Sequence, residues 1–183
     1  VKQLKVAWLC RTPTIYSTRW GALQYESLLR TKDAFKKQGV DIVLEYTEDT
    51  DIPVAERVGR SYADKGFDVI LFSSWTPDAV RNVARDYPKI ITGGAGGGVE
   101  LQTLYPPPAA VPPNVMHVDS FLHESAYLCG YLAGKITKTN TVGIVGQNPV
   151  INANRYYNGF IQGAKAANAN VKIKFIFIFS FLD

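Results

Sequence analysis

The sequence predicts an α/β protein made of two lobes, each organised around a doubly wound parallel sheet, and three observations carry that expectation. Strand-like and helix-like runs alternate at a spacing that requires crossover connections instead of hairpins. The alternation is interrupted by YPPPAAVPP at 105–113 and then restarts, which places a crossover near 118–121 and divides the chain into 1–119 and 120–183. Near the end, Lys174 to Phe179 is apolar without alternation, the pattern of a strand covered on both faces within a parallel sheet.

The elements follow in order. Leu4 to Leu9 reads as a strand, and the polar stretch 11–19 leads into a helix over 20–37 that stops at Gly39. A strand at 41–46, a helix at 52–65 stopped by Gly66, and a strand at 67–72 repeat the unit. A third helix spans 77–86, with Pro77 at its first turn, and a short strand occupies 89–91. A fifth strand is expected at 115–118, before the crossover; after it come a helix at 120–136, a strand at 141–145, a helix at 151–167 and a strand at 171–179. Few residues follow that aromatic strand, so it lacks the cover its composition demands. The natural protein is expected to continue past Asp183, leaving the second lobe incomplete in this chain.

The glycine run ITGGAGGGVE at 91–100 raises the question of a phosphate-cradling loop. Counted from Gly94, a dinucleotide fingerprint would need glycine where Val99 stands; counted from Gly96, where Leu101 stands. No Gly-Lys-Ser or Gly-Lys-Thr closes the run, Glu100 puts a carboxylate where phosphate charge would sit, and the prolines that follow forbid a helix. The alternatives are a flexible connection between strands, or a backbone that lets a ligand approach at Gly93 and Gly94.

Composition narrows the function. The 183 residues are 46% hydrophobic, and a net charge of +4 comes from 20 basic and 16 acidic side chains spread along the chain, so nucleic acid is not an expected partner. No run approaches the roughly 18 apolar residues of a membrane span. Cys10 and Cys129 form neither a disulfide framework nor a metal site and are expected to be buried thiols. His117 and His123 lack Cys or carboxylate neighbours at ligand spacing. Asp78 and Glu124 sit at helix starts, where a carboxylate meets the dipole, and no nucleophile elbow is present. No catalytic residue, metal or cofactor is therefore expected.

In doubly wound sheets ligands bind outside the carboxyl ends of the strands. The loops there offer Tyr16, Ser17 and Trp20; Ser74 and Trp75; Gly93 and Gly94; and, in the second lobe, Asn148 and Arg155. Two tryptophans in one layer suit a flat ligand.

Four segments carry a family resemblance: ADKGFDVI at 63–70, VARDYP at 83–88, YLCGYLAGKITKT at 127–139 and NGFIQGAK at 158–165, with SFLD at 180–183 closing the match. The chain resembles the basic membrane protein family of ABC-transporter substrate-binding proteins, and its nucleoside-binding members most closely. That resemblance implies a periplasmic-binding-protein type I fold with two Rossmann-like lobes, a ligand clamped between them, no chemistry, and delivery to an ABC transporter permease. It implies an extracytoplasmic protein, periplasmic or anchored as a lipoprotein, acting as a monomer, with signal and anchor outside these residues. Trp20 and Trp75 occupy loop positions matching the aromatic residues that the relatives place against the base. Asn148, Arg155 and Asp183 are expected to supply polar contacts. Where the relatives hold the sugar with a first-loop aspartate and asparagine, this chain has Ser17, Thr18 and Gly21, so a free purine base or another flat polar ligand stands beside a purine nucleoside. Two alternatives remain: a ligand-sensing regulator of the same fold, and an enzyme acting on a small heterocycle.

Overall fold

The computed structural model describes residues 2–73, 76–95 and 111–180. The chain divides into two compact units, Val1–Asp119 and Ser120–Asp183. Trp75, Ser74, Asp183 and Gly96 to Gly98 lie outside the described residues.

The first unit is a five-stranded parallel sheet in the order β2-β1-β3-β4-β5. Its strands are β1 (Lys2–Leu9), β2 (Val40–Thr47), β3 (Val69–Phe72), β4 (Ile91–Ala95) and β5 (Val115–Val118). Its helices are α1 (Arg19–Lys36), α2 (Ile52–Asp64) and α3 (Pro77–Asp86). Successive side chains of a strand point to opposite faces, and the two buried clusters follow that rule. Ala7, Leu9, Ile70 and Phe72 pack with Ala55, Tyr62, Val80 and Val83 of α2 and α3. On the other face Trp8 and Cys10 pack with Ile15, Tyr25, Leu28 and Leu71. The Trp8 and Tyr25 rings stack with centroids 6.0 Å apart.

Two strand boundaries differ from the expectation for physical reasons. Phe67 belongs to a turn, not to β3: its N–H donates to the Tyr62 carbonyl, and its ring packs edge-on against Tyr62. The fourth strand starts at Ile91 instead of Lys89, because the Asn114 amide donates to the carbonyls of Ala84, Tyr87 and Ile90 and pins 87–90 as a turn. The strand then runs on through Gly93 and Gly94, which the sequence placed in a loop.

The second unit pairs β6 (Thr141–Gly146) with β7 (Lys172–Phe177) in parallel, accompanied by α4 (Leu122–Ile136) and α5 (Ile151–Ala167). The two helices meet at glycines. A Cβ on Gly130 would strike the Phe160 carbonyl, one on Gly134 the Ala164 carbonyl at 2.5 Å, and one on Gly163 the Tyr127 carbonyl. This close approach turns Cys129 outward, so it is exposed instead of buried, whereas Cys10 is buried as expected. The last strand is shorter than 171–179: Val171 closes a turn onto Asn168, and Phe179 takes a φ of 55°. Nor are its side chains covered on both faces. Tyr157 packs against Phe175 and Phe177 with centroids at 4.9 and 5.9 Å, while Ile176, on the opposite face, is 61% exposed.

Candidate ligand-binding site

In the order β2-β1-β3-β4-β5, the connection from β1 leads to one side and α2 carries the chain back across to β3, so the order reverses between β1 and β3. Such a switch point opens a crevice at the carboxyl ends of the two strands. Tyr16 and Ser17 lie in the connection leaving β1, and Trp20 at the start of α1.

The first loop is built outward from the sheet. Cys10 donates its N–H to the Thr47 carbonyl, and Ile15, 3% exposed, anchors a 3-10 turn over Ile15–Ser17. Helix α1 begins at Arg19 because the Thr18 hydroxyl accepts the Gly21 N–H at 3.1 Å, an N-cap. Gly21 is fixed by close approach, since a Cβ there would lie 2.6 Å from the Ile15 carbonyl. With Ile15 buried, its neighbour Tyr16 is 70% exposed, and Trp20 is 51% exposed in the first turn of α1. Ser17 is less available: its hydroxyl donates to the Thr14 carbonyl at 2.7 Å.

Gly93 and Gly94 occupy an interior strand. Gly93 is paired with Leu71 and Met116, and Gly94 with Phe72 and His117. A Cβ on Gly93 would collide with the Met116 carbonyl, and one on Gly94 with that of Phe72. Their lack of side chains thus serves strand packing, and their backbone groups face ladder partners. His117, beside Gly94, has its pKa pushed below the ordinary value by burial, against a weaker opposing pull from Asp119.

In the second unit, Asn148 is half-buried and its carbonyl accepts the Val150 N–H at 2.8 Å. Arg155, in the first half of α5, donates from Nη2 to the Ser120 carbonyl at 3.4 Å. The structure therefore gathers Tyr16, Ser17 and Trp20 at one strand end, sets Gly93 and Gly94 inside the same sheet, and carries Asn148 and Arg155 on the other unit.

One set of residues was not singled out from sequence. The polar run TEDTD at 47–51 reads as a connection, yet its residues bond repeatedly to the first loop. Its turn-forming composition was the available signal; which neighbour it would hold was not. Among the described residues no group of three or more His, Cys, Asp and Glu side chains is placed to hold a metal ion.

A parallel sheet with helices on both faces and an order that reverses between β1 and β3 defines an α/β protein of the doubly wound class. The family of ABC transporter substrate-binding proteins described as Bmp, PnrA-like, matches residues 5–183, and the chain belongs to it. These are transporter substrate-binding proteins, not enzymes. The chain is 37% identical to basic membrane protein A of Borreliella burgdorferi over 75 residues, 40% of this chain and 22% of that protein. It is 41% identical to the ABC transporter nucleoside-binding protein BmpA of Lactococcus lactis over 63 residues, 33% of this chain and 17% of that protein. A putative ABC transporter glucose-binding protein of Haloferax volcanii is 30% identical over 125 residues, 68% of this chain and 29% of that protein. The matched stretches thus span less than a third of each relative. Among solved structures, a solute-binding protein from Conexibacter woesei superposes with a TM-score of 0.63 at 24% identity, covering 98% of this chain and 56% of that one. The Caulobacter myo-inositol binding protein gives 0.66 at 14% identity over 95% and 55% of the two chains. The fold is periplasmic-binding-protein-like.

Proposed function

We propose that the protein is the extracytoplasmic solute-binding component of an ABC importer and that its ligand is a purine nucleoside or free purine base. The observation that carries this reading is the exposed pair Tyr16, in the 3-10 turn after β1, and Trp20, in the first turn of α1, beside the β1–β3 switch point, in a family of transporter substrate-binding proteins. A flat heterocycle stacks on an aromatic face with little regard for its identity, so neighbouring polar groups must discriminate. We assign a second face to Trp75 and polar contacts to Ser74, Asn148, Arg155 and Asp183, but none to Gly93 and Gly94, whose backbone groups face ladder partners. The relative from Lactococcus, named as nucleoside-binding, supports this assignment. The partner is a permease, and the protein acts as a monomer outside the cytoplasm. Among the described residues no helix is long and apolar enough to cross a membrane.

A second reading, a sugar, is favoured by the Haloferax relative named as a putative glucose-binding protein. An aromatic face also packs against the C–H face of a sugar. Calorimetric titration of the full chain with adenine, guanine, hypoxanthine, their nucleosides and glucose separates the two. Saturable binding of a purine supports the first reading, glucose binding without purine binding establishes the second, and nucleoside binding without base binding shows that the ribose is recognised despite Ser17, Thr18 and Gly21.

A further inference from the structure

We propose that the connection between β2 and α2, residues 47–51, is a positioning element for the ligand-facing loop and acts chiefly through Glu48; this rests on the reading of Tyr16 and Trp20 as ligand contacts. The loop over 10–18 has a single 3-10 turn as regular structure, and its internal bonds, from the Thr12 and Ser17 hydroxyls to the Thr14 carbonyl, are local, so its placement on the sheet depends on ties from elsewhere. The ties come from 47–51. Thr47 accepts the Cys10 N–H at 2.8 Å, Thr50 donates to the Cys10 carbonyl from its N–H at 2.9 Å and its hydroxyl at 2.8 Å, and the Asp49 N–H donates to the Thr12 carbonyl at 2.9 Å. Arg11 pairs with Asp51 at 2.9 Å. Asp49 makes its bond from the left-handed region, φ 55°, which Asp tolerates better than most non-glycine residues.

Glu48 stands apart because its bond lies next to the exposed aromatic residue. Its Oε1 accepts the Ile15 N–H at 2.7 Å. Ile15 is the first residue of the 3-10 turn, so its N–H has no partner within the turn. A buried N–H bonded to a carboxylate loses both a charge-assisted bond and its solvation when the acceptor is removed. The loop would then move to hydrate that group and carry Tyr16 with it. Glu48 lies outside the residues assigned to the ligand and acts through the loop.

The test compares the full chain with Glu48→Ala and Glu48→Gln, the latter retaining an oxygen acceptor for the Ile15 N–H. Hydrogen exchange is measured by mass spectrometry over 11–20, and affinity for adenosine, adenine and glucose by calorimetry. Glu48→Ala is expected to speed exchange over 11–20 by about tenfold or more, the scale of a lost charge-assisted bond, with β1 and β3 unchanged. Affinity for whichever probe the parent binds falls in parallel, and Glu48→Gln recovers most of both. Unchanged exchange over 11–20 overturns the proposal, as does faster exchange with undiminished affinity, or a Gln variant as impaired as the Ala variant. Weakened affinity with unchanged exchange assigns Glu48 to direct ligand contact instead. A parent that binds glucose and no purine defeats the purine assignment alone, while exchange over 11–20 still decides whether Glu48 holds the loop.

Discussion

Trp20 leaves half of a large apolar side chain in water, whereas Trp8 on the adjoining strand is buried against Tyr25. A side chain so exposed contributes little to folding, so its removal separates binding from stability. Trp20→Ala is expected to weaken purine binding by about 1–3 kcal/mol, the range for bases stacked on aromatic side chains, with the melting temperature nearly unchanged; unaltered affinity by calorimetry would return Trp20 to the ordinary surface. Gly93→Ala should do the reverse. Its Cβ meets the Met116 backbone carbonyl, a group that cannot rotate away, so thermal unfolding should show a loss of roughly 2 kcal/mol or more, the range of strained backbone sites. Near-parent stability with lost affinity would restore the ligand-facing role expected from sequence. The contrast explains what could be read at this scale. Tryptophans in polar loops announce themselves, but glycine spacing says only that a side chain is not tolerated, and whether a ligand or a neighbouring strand excludes it depends on register. Ser17 is similar: its position was legible, while its bond to Thr14 depends on the local turn.

Helices α2 and α3 show how an element's placement depends on charges that periodicity does not display. Arg60 on α2 pairs with Glu56 at 2.9 Å and with Asp86 at the end of α3 at 2.6 Å, and Asn82 donates to Glu56 at 2.8 Å. The hydrogen bond from Arg85, then that from Arg60, brings the Asp86 carboxyl down to about 2 from an ordinary 3.8. Glu56 is also lowered, first by Asn82. A carboxylate whose pKa is lower in the folded state leaves the unfolded chain holding more protons between the two values, so stability there rises with pH. The contribution is fully present above about pH 5, beyond the ordinary carboxylate range, and is lost as pH falls toward 2. Denaturant unfolding from pH 6 to pH 2 should therefore show an acid limb, flattened in the Arg60→Gln, Arg85→Gln double variant; equal slopes would show that these pairs do not set the carboxylates' values in the folded chain. Helices α1 and α2 were legible from their period and their stops at Gly39 and Gly66, both at positive φ, and α3 from its period and Pro77 at its first turn. The start of β4 was not, because the Asn114 amide that pins the preceding turn comes from the far side of residues 96–110 in sequence.

Across the molecule the buried apolar residues are distributed unequally. The first unit encloses Ala7, Leu9, Ile70, Phe72 and Val83 on one side of its sheet and Trp8, Cys10 and Ile15 on the other. In the second unit the described hydrophobic residues that are buried are Ala153, Ala164 and Val171, while Val145, Ile176 and Phe179 are 71%, 61% and 71% exposed. Burying a Leu, Phe or Ile side chain contributes about 1.5–3 kcal/mol and burying an alanine much less, so the glycine-seamed contact of α4 with α5 must carry most of the second unit's stability. The alternation of strands and helices was legible in sequence, yet it could not rank the stability of the two units, because the pattern of Lys174 to Phe179 encodes a need for cover on two faces and not the presence of that cover. The ranking is open to hydrogen exchange on this chain at neutral pH, since amides open with the local free energy of the structure around them. Amides of β1 and β3, between two packed faces, should be the slowest. Those of β7, paired on one edge to β6, should exchange earlier by at least an order of magnitude, with α4 and α5 between them. Uniform protection across β1, β3 and β7 would mean that the second unit opens only with the first, and that its stability is set elsewhere than in its own buried residues.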